Sequence, residues 1–250
     1  SRRGTFVNGE QITGRSTRLV DGDLITLGSA KFTVDGVTLV CSERSTHAHL
    51  ECEDLTRVVE AAGAGGTKTI LNKVTINIPP KSFVVLLGPS GSGKSTLMNA
   101  LNGRSPATSG KVLLNKELLY PNYNRLKSKI ANVPQKDILH FELPLRESLE
   151  YTAELKLPRD SDKSEISTAV TEAIQEVGMG HLEHDVIKKF SGGQIKRASV
   201  AHEILSSPSL ICVDEATSGL DEHSDREIMG LLREVSDSGK TILCITHNLA

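Results

Sequence analysis

Glycines at 88, 91 and 93, with Lys94 and Ser95 directly behind them, have a spacing suited to wrapping backbone around an anion. In Gly88-Pro89-Ser90-Gly91-Ser92-Gly93-Lys94-Ser95-Thr96 the glycines let main-chain N–H groups turn inward around phosphates. A helix opening near Lys94 points its positive end at the same charge. Lys94 is expected to reach the β- and γ-phosphates of a nucleotide, and the Ser95 hydroxyl to serve Mg²⁺. Further along, Asp214 and Glu215 follow the apolar run Leu210-Ile211-Cys212-Val213. Carboxylates at the end of a buried parallel strand lie where ligands sit in open α/β sheets. Asp214 reads as the Mg²⁺ partner, directly or through water, and Glu215 as the group polarising a water aimed at the γ-phosphate. His247, beyond the apolar strand Thr241-Ile242-Leu243-Cys244-Ile245, is placed to donate to that phosphate.

Ser191-Gly192-Gly193-Gln194 stands where another helix begins, so a serine hydroxyl, glycine N–H groups and the helix dipole form a second anion cradle. Each motif has a plainer reading taken alone: a glycine-rich turn, a serine N-cap, a solvated acidic loop, a surface histidine. Their occurrence together favours chemistry over coincidence.

The elements that must position these residues are legible around them. Phe83-Val84-Val85-Leu86-Leu87 is a strand feeding the phosphate loop, and Leu97, Ala100 and Leu101 mark the sheet-facing side of the helix after it, which Gly103 ends. Leu145, Leu149, Ala153 and Leu157 recur at helical spacing. So do Ile166, Ala169, Val170, Ala173, Ile174 and Val177 within 162–177, with Gly178 as the stop. Residues 55–59 read as a first strand, Ala61–Gly66 as a hairpin connection, and Ile70–Ile78 as alternating strand. The fold class is therefore α/β, with a parallel sheet core.

With these motifs in this order, residues 53–250 resemble the ATP-binding cassette (ABC) family of P-loop NTPases. The resemblance implies an antiparallel β subdomain and a helical subdomain at about 136–207, with ATP and Mg²⁺ as ligands. It implies that Gln135, in Asn132-Val133-Pro134-Gln135, links Mg²⁺ and water to a transmembrane partner. It further implies that Ser191 and Gly193 contact ATP held by the loop of a second cassette, and that Asp221, after Ser218-Gly219-Leu220, contacts across the same seam. Residues 133–158 look like the G subfamily and related bacterial exporters, in which this stretch meets the membrane domain. Two departures stand out. Ala216 follows the acid where that subfamily commonly has proline, and Val59 stands where many relatives stack an aromatic ring on adenine. Stacking on a base is worth on the order of 1–3 kcal/mol, so weaker ATP affinity and looser base selectivity are expected.

Residues 1–40 follow all-β grammar, with turn signals at Val7-Asn8-Gly9-Glu10, Asp21-Gly22-Asp23 and Asp35-Gly36. They resemble the C-terminal part of a forkhead-associated (FHA) β-sandwich, a phosphothreonine-binding domain. Arg3 stands where that family usually has a peptide-contacting asparagine, so a phosphothreonine protein is a partner by resemblance alone, beside the reading of a β appendage that only packs. Residues 41–52 read as linker.

Net charge is −2 with both signs interspersed and aromatics are 3% of the chain, which excludes a nucleic-acid surface as the expected partner. The four cysteines lack CxxC spacing, and a reduced setting is expected. His47, His49 and Cys52, or His181 with His184, are incomplete sets for a tetrahedral metal site. No apolar run approaches the ~20 residues that span a bilayer. The chain begins without Met inside a β domain and ends at Ala250, before the closing strands of the family. A fragment of an exporter lying on the cytoplasmic face, with its membrane domain after Ala250 and a second cassette as partner, is the expectation. The rivals are a soluble ABC ATPase acting on ribosomes or DNA, and an FHA-regulated signalling scaffold.

Overall fold

The computed structural model describes residues 5–8, 10–13, 16–27, 30–42, 47–60, 65–157, 161–215 and 221–246. The chain divides into two compact units, Ser1–Thr46 and His47–Ala250. In the first, β1 (Thr5–Val7), β2 (Glu10–Gln11), β3 (Leu24–Leu27), β4 (Ala30–Asp35) and β5 (Thr38–Ser42) form an antiparallel sheet in the order β2-β1-β3-β4-β5. Val7 pairs with Glu10 across the two-residue turn the sequence predicts, and Asn8 takes the positive φ of 52° that such a turn requires. Asp23 accepts from the Val20 N–H at 2.8 Å and from the Asn8 side chain at 2.9 Å, which ties two turns together.

The expected linker at 41–52 is corrected at both ends. Cys41 and Ser42 belong to β5, and β6 begins at Leu50, so the second unit starts at His47 instead of residue 53. Leu50 and Cys52 alternate inward and are each 1% exposed, a period of two that the surrounding Ser, Thr, Glu and His residues conceal.

In the second unit β6 (Leu50–Glu60) and β7 (Thr67–Ile78) form a long hairpin, followed by β8 (Phe83–Leu86), α1 (Lys94–Leu101), β9 (Ser109–Leu114), β10 (Glu117–Leu118), α2 (Tyr123–Leu126) and β11 (Ile130–Val133). Then come α3 (Leu145–Lys156), α4 (Lys163–Glu176), α5 (Gly192–Ile204), β12 (Leu210–Asp214), α6 (Glu222–Asp237) and β13 (Thr241–Ile245). One sheet, β10-β9-β6-β7, is antiparallel; the other, β11-β12-β13-β8, is parallel throughout.

The parallel sheet separates two cores, and the pleat of its strands decides which side chain enters which. Leu210 and Cys212 of β12, with Leu243 and Ile245 of β13, pack with α1 and the antiparallel sheet. Ile211 and Val213, with Ile242 and Cys244, pack with the helices. Burial on both faces is why these strands are apolar runs without alternation. On the helical side Leu145, Leu149 and Ala153 of α3 meet Val170, Ala173 and Ile174 of α4 and Ala198 and Ala201 of α5, as the helical spacing predicts. A buried polar contact joins α3 to α5, with Ser148 Oγ and His202 Nε2 2.9 Å apart, and burial pushes the His202 pKa down. Among the described residues no helix is long and apolar enough to cross a membrane.

Candidate functional site

The phosphate loop joins β8 to α1. Gly88, Gly91 and Gly93 have φ of 150°, 78° and 94°, a range that residues with a Cβ rarely enter. Gly93 is constrained twice over, because a Cβ there would meet Ile70 Cγ2 at 3.2 Å. Lys94 Nζ donates to the Gly88 carbonyl at 2.7 Å and to the Pro89 carbonyl at 2.9 Å, so its ammonium lies across the loop. Gly93 caps α1 without a side-chain hydrogen bond, and the first turn carries no acidic residue. The leading N–H groups thus point out of the helix as anion donors. Loop residues 90–96, Glu215 and the β7 residues Lys68, Thr69 and Ile70 line a cleft of about 290 Å³.

The parallel order of strands brings the acids and the glutamine to this place. Asp214 ends β12, and its Oδ1 accepts from Ser95 Oγ at 3.2 Å. Glu215 has φ of 50°, a left-handed conformation that costs a residue with a Cβ roughly 1–2 kcal/mol. Its N–H donates to the Ile245 carbonyl of the neighbouring β13 at 3.0 Å, which holds the bend. Gln135, two residues beyond β11, donates from Nε2 to Glu215 Oε2 at 2.5 Å. Ser95 of α1 thus meets Asp214, and Gln135 meets Glu215, at the C-terminal ends of the adjacent parallel strands β11 and β12. His247, Arg3, Ala216 and the segment Ser218–Leu220 lie outside the described residues.

Ser191, Gly192, Gly193 and Gln194 open α5 elsewhere. Ser191 Oγ accepts from the Gln194 N–H at 3.3 Å while Gln194 Oε1 accepts from the Ser191 N–H at 2.9 Å, a reciprocal capping box. Asp221 caps α6, accepting from the N–H groups of His223 and Ser224 at 3.1 and 3.0 Å and from Ser224 Oγ at 2.8 Å. The Ser224 N–H first, and then its hydroxyl, hold the Asp221 carboxyl below the usual carboxylate range. The two helix starts adjoin, because a Cβ on Gly193 would meet Ser224 at 3.3 Å. Neither Ser191–Gln194 nor Asp221 lines the cleft at the phosphate loop.

Several residues escaped sequence reasoning. Lys68, Thr69 and Ile70 line the cleft; Val59, singled out for the base, does not line it but pairs with Lys68. Buried Lys196 bonds Asp137 at 2.7 Å, and Ser199 Oγ donates to the same carboxylate at 2.7 Å. The available signal was that Lys196 falls between Gly193 and Val200 on the buried face of α5. The candidate metal sets are engaged otherwise. His49 Nε2 meets Asn77 Oδ1 at 2.6 Å, Cys52 Sγ donates to the Val74 carbonyl at 3.5 Å, and His184 lies 2.9 Å from Glu183. Among the described residues no cluster of three metal-ligating side chains occurs, and Cys52, Cys212 and Cys244 are buried free thiols.

A glycine loop between a parallel strand and a helix, with two acids at the tip of a strand one removed from it in the same sheet and a helical layer beyond, defines a nucleotide-binding ATPase cassette. The sequence profile of the ABC transporter family matches residues 71–218, and the chain belongs to that family. It is 36% identical to the ABC transporter ATP-binding/permease protein Rv1747 of Mycobacterium tuberculosis, over all of this chain and 28% of that protein. It is 40% identical to ABC transporter G family member 13 of Arabidopsis thaliana, over 78% of this chain and 29% of that one. The chain therefore spans under a third of the length of these relatives. Among solved structures, the dimeric cassette MJ0796 bound to ADP and Pi superposes with a TM-score of 0.69 at 25% identity, covering 80% of this chain and 88% of that one. The cbiO1 cassette of Clostridium perfringens, part of the cbiONQ ABC transporter complex, gives 0.70 at 28% identity over 80% and 78%. The protein is accordingly an ABC cassette, a member of an ATP-hydrolysing family, with G-family proteins among its relatives.

Proposed function

We propose that this cassette is the motor of a G-type exporter, in which two copies close head to tail around two ATP molecules and their reopening on hydrolysis drives transport. The observation carrying the catalytic half is the polar run from Ser95 through Asp214 to Glu215 and Gln135, at the edge of the cleft that the phosphate loop lines. In it Lys94 and the N–H groups of residues 90–96 hold the phosphates, Glu215 takes the proton of the attacking water, and His247 steadies the γ-phosphate. Ser95 and Asp214 offer hard oxygen atoms 3.2 Å apart, the donor type Mg²⁺ takes beside phosphate oxygens, and the Gln135 amide, bonded to the adjoining Glu215, would be a further oxygen for that ion. That ion, when bound, neutralises charge on the phosphates.

The placement of Ser191, Gly193 and Asp221 away from this cleft supports the split-site reading, in which they serve the nucleotide of the other copy. The dimeric MJ0796 structure and the joined ATP-binding and permease functions in the name of Rv1747 support the pairing and a fused membrane domain, with the cassette on the cytoplasmic side. That relative also aligns with the N-terminal β unit, which supports its belonging to the same architecture; recognition of a phosphothreonine protein there rests on the FHA resemblance. Glu215→Gln tests the core of the proposal. It should bind ATP and dimerise, seen by light scattering, while hydrolysis falls by at least ~100-fold. Hydrolysis at the unaltered rate would remove Glu215 from its role.

A further inference from the structure

Gln135 sits in a stretch that its own burial cannot hold. Gln135, Lys136, Ile138 and His140 are exposed, and residues 134–141 contain no helix or strand. What holds it comes from α5. Lys196 is 4% exposed, and its ammonium meets three acceptors: Asp137 Oδ1 at 2.7 Å, the Pro134 carbonyl at 3.3 Å and the Gln135 carbonyl at 3.4 Å. An ammonium has three donors, so this set satisfies it. Ser199, one turn further along α5, donates to the same Asp137 oxygen at 2.7 Å. The main chain is thus gripped at Gln135 itself and on both flanks, leaving its side chain aimed at Glu215 at 2.5 Å. Stability does not explain the arrangement, because a buried ion pair usually contributes no more than an apolar pair of the same volume.

We propose that Lys196 is a positioning residue for ATP hydrolysis, fixing the glutamine backbone so that the Gln135 amide orients the Glu215 carboxylate. The inference rests on the assignment of Glu215 made above.

The test is steady-state ATP hydrolysis by the protein, with nucleotide affinity and Tm measured alongside. Lys196→Met should lower kcat roughly tenfold or more while KM changes less than about threefold, since a misaimed group costs rate rather than binding. On a Gln135→Ala background the same change should cost less than about twofold, because the side chain it aims is gone. Equal losses in both backgrounds, or an unchanged kcat in a folded variant, would overturn the proposal. Should Lys196→Met not fold, Asp137→Asn is compared in the same two backgrounds and decides by the same criterion. Glu215→Gln separates the two claims. If it hydrolyses normally, the assignment falls and the proposal with it; if it is inactive while the Lys196 effect is additive with that of Gln135, only the proposal falls.

Discussion

Helices α1 and α5 both begin on glycine-rich turns, yet they satisfy their first N–H groups in opposite ways. The α1 start has a left-handed glycine as cap, no side-chain acceptor and no acid in its first turn. The α5 start is closed by Ser191 and Gln194 bonding each other's backbone. The first end is built to be completed by a ligand; the second has two of its donors satisfied within the chain and holds its shape alone. A helix start that must receive phosphates leaves its first N–H groups without a side-chain cap. A surface that must meet a nucleotide arriving on another molecule has to be formed beforehand, and the hydroxyl proton of Ser191 stays available because its oxygen is the accepting atom in the capping box.

Breaking the open end should have the largest effect. Lys94→Ala removes charge-assisted bonds worth about 1.5–3 kcal/mol each, so ATP affinity by titration calorimetry should fall by at least ~10-fold, and more where several phosphate bonds go. If affinity survives, the loop is not the phosphate site. Next comes a stability test. ATP at a hundred times its Kd should stabilise the protein by about 2.7 kcal/mol, an increment that Lys94→Ala cuts to about 1.4 kcal/mol or less at the same ATP concentration and Ser191→Arg retains. Ser191→Arg should nonetheless prevent ATP-dependent dimerisation, and a Ser191→Arg protein that still dimerises would sink the split site. Ser191→Ala is milder: losing the cap should destabilise by ~1 kcal/mol in denaturant melts with monomer ATP affinity unchanged.

The smallest expected effect concerns Asp221, the cap beside Gly193. Its folded pKa lies below the ordinary carboxylate value of 3.8, so its contribution to stability is full above that value and fades as pH falls through the lower folded one. Asp221→Asn, which can still cap, should flatten the stability profile slightly below about pH 4 and leave it unchanged near neutrality. A change confined to neutral pH would contradict the capping role.

Much of the site was readable because its parts are local. The phosphate loop is nine consecutive residues whose glycines dictate the backbone, and the capping box spans four. Apolar runs announced β8, β12 and β13, and helical spacing announced α3 and α4, since in each the burial pattern has a period the chain displays directly. The β6 start was missed because two inward residues among polar ones make too short a period to see.

The sequence by itself determined the phosphate-binding loop, the acidic strand end, the second helix start and membership of the ABC family, because these depend on residues adjacent along the chain. Only the tertiary structure decided that Gln135 reaches Glu215, that Lys68–Ile70 wall the cleft and that Lys196 grips the glutamine segment. Those contacts join residues brought together by the β11-β12 pairing, the β6–β7 hairpin and the packing of α5. Strand order and helix packing follow from how whole faces bury against one another, which no short stretch of sequence states.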